Sequence, residues 1–287
     1  MSMSLAAVPT ARRRSTHYTA LPGFGPTLGV TLLVLTVLVV VPLGGMVLKA
    51  AGLGLGQAWH LLTVPRIAAA FRLSFGLALA AAAVNGVAGL LIAWVLVRYS
   101  FPGRRFLDAL VDLPFALPTA VAGITLAALY ANNGWIGGLL QPYGIAVSYT
   151  RLGIFVALLF VGLPYVIRTV QPVLADLERE TEEVALTLGA GFFPIWTRVI
   201  APPLIPALLT GMALAFARGV GEYGSVIFIA GNVPGISEIL PLVIVVRLEE
   251  YDYAGAALLA SVMLAASFAI LLLINLISMW SRRRHGA

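Results

Sequence analysis

Arg218 and Glu222 stand four residues apart inside an apolar stretch that runs from Leu204 to Gly231. On a helix that spacing puts both side chains on one face and within reach of each other. Charges are costly in such a stretch, and three readings are open. The two can form an internal pair that braces or gates the helix, they can serve packing alone, or the guanidinium can offer its fork to an anion. The adjacent carboxylate cancels much of the field an anion would feel. Little else in the sequence can make or break bonds. Cysteine is absent, which excludes disulfides, thiolate nucleophiles and thiolate-bound metals. His17, His60 and His285 fall in tail or loop segments and form no metal-ligand spacing. The single lysine, Lys49, lies between Leu48 and Ala50, so the phosphate-cradling Gly-x-x-x-x-Gly-Lys-Ser/Thr loop is missing. The chain is expected to be non-catalytic and to bind no metal or cofactor of its own.

The elements that must position these residues are membrane helices. Of the 287 residues 60% are hydrophobic and 10% charged, and the mean hydropathy is +0.99, which water cannot solvate as an ordinary domain. Six apolar runs of membrane-spanning length follow one another, at about 28–48, 70–97, 106–130, 153–173, 204–231 and 254–280. Lipid offers no partner to an open strand edge, so an all-α integral membrane fold is predicted. The run at 28–48 is longer than the apolar core of a secretory signal and lacks a small-residue cleavage site, so it reads as a retained helix. The net charge of +6 comes from short basic clusters between the runs, a topology signal and not a nucleic-acid face. Arg12–Arg14, Arg98, Arg104, Arg105, Arg168, Arg179, Arg198 and Arg282–Arg284 fall on one side, and Lys49, Arg66, Arg72, Arg151 and Arg247 on the other. Twelve against five places both termini in the cytoplasm. The tails are then 1–27 and 281–287.

Two runs carry further marks. The second has Gly76, Ala80 to Ala83, Gly86 and Gly89 at helical spacing, a face that lets membrane helices approach closely. The third holds Pro114 and Pro118, which predict a kink or a local break, with ordinary kinking and lining of a substrate path both open.

The longest cytoplasmic connection, 174–203, has helix signals of its own. Asp176 is placed to cap it, Glu178, Glu180, Glu182 and Glu183 fall in its early turns, and Gly189 can end it in the left-handed conformation. Leu177, Val184 and Leu188 share one side. Phe192, Phe193 and Trp196 follow, in what reads as a loop before Pro202, Pro203 and Pro206 open the fifth span. Large apolar groups exposed there point to a partner surface.

The pattern Glu183-Val-Ala185-x-x-x-Gly189, nine residues, then Val199-x-Ala201-Pro202 resembles the EAA loop of permease subunits of ATP-binding-cassette (ABC) importers, with Val184 and Ala201 departing from the usual residues. The resemblance implies a type I permease fold over 70–280, with 174–203 as its coupling loop. It also implies that Glu183, Ala185, Gly189 and Pro202, with Phe192 and Phe193 beside them, form the coupling surface for a separate cytoplasmic ATPase. ATP and Mg would be used by that partner.

The stretch Arg218-Gly-Val-Gly-Glu222-Tyr223-Gly224 through Gly231-Asn232-Val-Pro234, together with Leu113-Pro114-Phe-Ala-Leu-Pro118-Thr119 and Asn133-Gly134-Trp135, is similar to the T permease subunits of bacterial sulfate/thiosulfate ABC importers over roughly 70–278. That resemblance implies a multi-pass protein of the bacterial inner membrane working by alternating access. Its partners would be the ATPase subunits, a second related permease, a periplasmic sulfate-binding protein and membrane lipid. Molybdate and tungstate permeases share part of the pattern, and a self-sufficient anion channel or ion-coupled transporter is the rival from another class.

Overall fold

The structure is a computed structural model that describes residues 24–285. Arg12–Arg14 and His17 lie outside the described residues. The chain divides into two units, 1–45 and 46–287. The first is seen from Phe24 onward as an apolar helix whose large side chains, among them Leu33, Leu38 and Val40, are exposed.

Eleven helices suffice to describe the path. They are α1 (Phe24–Ala51), α2 (Leu55–Thr63), α3 (Pro65–Arg98), α4 (Arg104–Val111), α5 (Thr119–Tyr130), α6 (Arg151–Asp176), α7 (Arg179–Thr187), α8 (Phe192–Val220), α9 (Gly224–Ala230), α10 (Leu240–Glu249) and α11 (Tyr253–His285). Among the described residues five helices, α1, α3, α6, α8 and α11, are long and apolar enough to cross a membrane.

The run expected at 106–130 is broken, as its prolines predict. α4 ends at Val111, a single turn covers Leu113–Ala116, and α5 begins after Pro118. Leu117 is extended, at φ −80° and ψ 132°, because the ring of Pro118 disfavours a helical residue before it.

The run expected at 204–231 differs at both ends. α8 starts at Phe192, so Phe192, Phe193 and Trp196 form its first turns and not a loop. One widened turn over Trp196–Ile200 lets the Ala201 N–H reach the Trp196 carbonyl, and the helix continues into Pro202 and Pro203, which have no N–H to give. At the other end the helix stops at Val220, and α9 resumes at Gly224 after a short break. The last helix also runs further than 254–280, reaching His285.

The centre of the second unit is the bundle of α3, α6 and α8. The buried face of α3 follows Ala78, Ala81, Ala82, Asn85, Gly86, Gly89 and Ala93, a helical stripe of small residues. Gly76, Ala80 and Ala83 fall outside that stripe and are exposed. One close approach of all three is at Val166 of α6. A Cβ on Gly89 would stand 2.7 Å from its Cγ1, and one on Gly211 of α8 would stand 2.8 Å from its Cα. Three helices therefore meet at one valine, where dispersion contacts supply the packing energy that lipid cannot displace. α9 crosses α5 as tightly, since a Cβ at Gly123 would overlap the Ser225 backbone.

Candidate functional site

The residues from Arg179 to Trp196 form a compact corner at one end of the bundle. α7 begins with Glu178 at its N-cap, and the carboxylate makes no capping bond. Asp176 does not cap α7, because it is still the last residue of α6, and the chain turns at an extended Leu177. The end of α7 is as expected. Gly189 has φ +81°, its N–H donates to the Leu186 carbonyl at 2.9 Å, and the Ala190 N–H reaches back to the Ala185 carbonyl at 3.0 Å. This paired closure is a Schellman cap, and it explains the Ala185-x-x-x-Gly189 spacing. The glycine supplies the left-handed residue, and the alanine lets the returning chain pack over it; Ala185 and Ala190 both lie against the core.

The outer face carries several exposed apolar groups. Val184, Leu186, Leu188, Phe192 and Phe193 are exposed, the last two at 77% and 73%. Glu183 is exposed among them, whereas Pro202 is half-buried within α8. The expected coupling residues thus separate into two groups. Glu183, Phe192 and Phe193 present a surface, while Ala185, Gly189 and Pro202 shape the backbone behind it.

What holds α7 to the bundle is a pair that no local signal in the sequence announces. Arg98, the last residue of α3, donates to the Glu182 carboxylate at 2.5 Å, and Arg179 donates to the Arg98 carbonyl at 3.2 Å. The Arg98 guanidinium lies 5.4 Å from the centroid of the Trp94 ring, which meets Trp196 of α8 edge to face at 5.2 Å. Charge and aromatic contacts therefore rivet α3, α7 and α8 together. A second unforeseen cluster joins α6 to α4. Arg168 grips both oxygens of Asp112, at 2.7 and 2.6 Å, and donates to Asp108 at 2.8 Å. Only an arginine within the apolar α6 and two aspartates four apart at the end of α4 hint at it in the sequence.

Arg218 and Glu222 do pair, at 2.5 Å. Glu222 is fully buried, and its second oxygen accepts from the Ser225 N–H at 2.9 Å and the Ser225 hydroxyl at 2.8 Å. With α8 starting at Leu204, Arg218 would lie about 21 Å along it; counted from Phe192 it lies about 39 Å along, in the last turn. The pair therefore spans the α8–α9 break. The cation sits where the α8 dipole is negative, and the carboxylate where the α9 dipole is positive, so each charge is stabilised by a helix end as well as by its partner. Glu222 is not the only buried acid. Glu238, also fully buried, is gripped by Arg66 at 2.8 and 2.5 Å, and its position between Ile236 and Ile239 is the sequence signal that could have found it.

The model of the binding-protein-dependent transport system inner membrane component family matches residues 85–286. The chain belongs to that family. Its curated relatives include the sulfate transport system permease protein CysT of Synechocystis sp., 50% identical over 254 residues that cover 88% of this chain and 89% of the relative. The Escherichia coli protein of the same name is 49% identical over 267 residues, 93% of this chain and 96% of its own. Among solved structures, a chain of a bacterial alginate ABC transporter, crystallised in complex with an alginate pentasaccharide-bound periplasmic protein, superposes with a TM-score of 0.73 at 16% identity, over 92% of this chain and 95% of that one. At that identity the likeness speaks for the fold. This family member shares the helical fold of that ABC transporter chain.

Proposed function

We propose that this chain is the membrane-spanning permease subunit of an ATP-driven sulfate importer. The observation that carries the reading is identity of about half over nine-tenths of the chain with sulfate transport permeases. In this reading the broken segment from Arg104 to Tyr130 is a further span beside the five long helices, which gives six spans and puts both termini in the cytoplasm. One side then holds Arg98, Arg179 and Arg198, as the arginine distribution favours. The chain supplies half of the pathway, and a second, related permease supplies the other half.

A separate ABC ATPase, using ATP and Mg, docks on Glu183, Phe192 and Phe193, with Ala185, Gly189 and Pro202 setting the backbone. The exposed apolar groups of the corner, Leu188, Phe192 and Phe193 foremost, support this, since a self-sufficient channel needs no such surface. The Arg98–Glu182 link carries the movement of α7 to α3, and the Trp94–Trp196 contact carries it to α8. At the far end of α8 the Arg218–Glu222 pair is a structural hinge that holds α9 as the helices rearrange. Its engagement at two helix ends favours that role over direct contact with substrate. A periplasmic binding protein delivers the anion to the opposite side of the membrane.

The test is uptake of radiolabelled sulfate into proteoliposomes containing this chain with its co-expressed partner permease and ATPase, supplied with binding protein and ATP. ATP-dependent uptake that excess sulfate abolishes and molybdate leaves intact is the expected result. Transport by the chain alone, without an ATPase, or uptake that prefers molybdate, overturns the assignment.

A further inference from the structure

At the end of α3 remote from Arg98, a pocket of about 320 Å³ is lined by Ala69, Arg72, Leu73, Arg151, Gly235 and Glu238. Arg72 is about 39 Å along α3 from Arg98, so this pocket and the α7 corner lie at opposite ends of the bundle. Its charges do not cancel. The Glu238 carboxylate has both oxygens committed to Arg66, the bidentate geometry that consumes a carboxylate most fully. Arg151 donates to the carbonyls of Ile236 at 2.8 Å and Gly235 at 3.4 Å, neutral acceptors that orient its guanidinium without neutralising it. Arg72 is exposed and makes no hydrogen bond or ion pair with any described residue. The lining thus holds two guanidinium groups, Arg72 and Arg151, without a carboxylate partner, while its one carboxylate, Glu238, is paired with Arg66, which also faces Glu250.

The loop that forms the far wall is built to hold its shape. The Ser237 hydroxyl, buried, accepts from the Val233 N–H at 3.2 Å, and the Leu240 N–H that follows is anchored on the buried Ser74 hydroxyl of α3 at 2.7 Å. Arg151 closes the other side of the same loop. The loop and the Arg151 guanidinium are thus set before any ligand arrives, which lowers the cost of ordering on binding, while Arg72 stays unrestrained.

We infer that this pocket is the entry site for a tetrahedral dianion, held between Arg72 and Arg151 while Arg66 keeps the Glu238 charge out of play. The inference rests on the sulfate-importer reading and adds to it a place where the anion first meets the permease. Two guanidinium groups without a carboxylate partner match the two charges of a dianion. The exposure of Arg72 keeps the site weak, as a way-station must be if the anion is to move on.

Binding of radiolabelled sulfate to the assembled transporter in nanodiscs, without binding protein and at low ionic strength, tests this directly. The complete transporter is expected to bind sulfate saturably. Arg72→Gln is expected to weaken that binding about tenfold or more, with Arg72→Lys retaining part of it. Copurification of the ATPase shows that each variant is assembled. Unchanged sulfate binding and uptake in Arg72→Gln overturns the site and leaves the importer reading standing, as does a wild-type complex that transports sulfate yet binds none in this assay. If Arg72→Gln instead weakens the affinity for sulfate-free binding protein and spares free sulfate, the pocket is a protein contact and the inference fails. A wild-type complex that moves no sulfate with its binding protein removes the importer reading itself.

Discussion

Arg98 and Glu182 lie 84 residues apart in sequence and meet at 2.5 Å, one at the end of a membrane helix and the other on the short helix that leaves the bundle. Arg98 is largely buried and Glu182 is only partly exposed, so solvent does little to replace a lost partner. Glu182→Gln and Arg98→Gln are each expected to cost roughly 1–3 kcal/mol of local stability, and the double variant less than the sum. The functional readout is the ratio of ATP hydrolysed to sulfate imported. It should rise in both single variants, and a thermal melt together with an unchanged ratio argues against a coupling role.

Gly189 ends α7 with φ +81°, a conformation that a β-branched residue resists strongly. Gly189→Val is expected to lose about 1–2 kcal/mol at the cap and to reduce recovery of the ATPase on an affinity-tagged permease. Gly189→Asn should keep most of it, because asparagine tolerates the left-handed region. Equal recovery for the two variants would mean that the cap geometry is immaterial to docking.

Phe192 and Phe193 project from the first turn of α8, while Ile195, one turn away, is buried. Phe192→Ser and Phe193→Ser are expected to leave the melting of the permease in detergent within about 0.5 kcal/mol and to abolish ATPase copurification when combined. Ile195→Ser should lower the melting itself. A double phenylalanine variant that still retains the ATPase places the docking surface elsewhere.

Glu222 has two tasks, which two substitutions separate. Glu222→Gln keeps an acceptor for Ser225 but gives up the charge that faces Arg218. Glu222→Ala leaves a buried N–H, a hydroxyl and a guanidinium without their partner. The expected order is a modest loss for glutamine and about 3–5 kcal/mol for alanine, read from thermal stability in detergent. If glutamine proves as damaging as alanine, the ion pair, and not the capping of α9, is what the fold depends on.

The features legible in the sequence are those in which cause and effect lie within a few residues. Pro114 and Pro118 break their helix because neither has an N–H to give to the preceding turn and the ring of Pro118 holds Leu117 extended. Ala185 and Gly189 mark the end of α7 because its cap is closed by residues three and five apart. The apolar runs declare their solvent. Arg218 and Glu222 could be paired on paper because one helical turn separates them.

Other features depended on parts of the chain that only folding brings together. Arg66 meets Glu238 across 172 positions, and Arg168 meets Asp108 across 60; no periodicity links them. The start of α8 departs from the expected loop for a related reason. Three prolines downstream look like a barrier, yet a widened turn and the packing of Trp196 on Trp94 carry the helix through them. Local hydrogen bonding is written in neighbouring residues, so the sequence determined most of the helices, the break at Pro114 and Pro118, and the α7 cap. Which distant charges could share a buried site was decided by tertiary packing, because an ion leaves water only where a partner from another helix is already held in place.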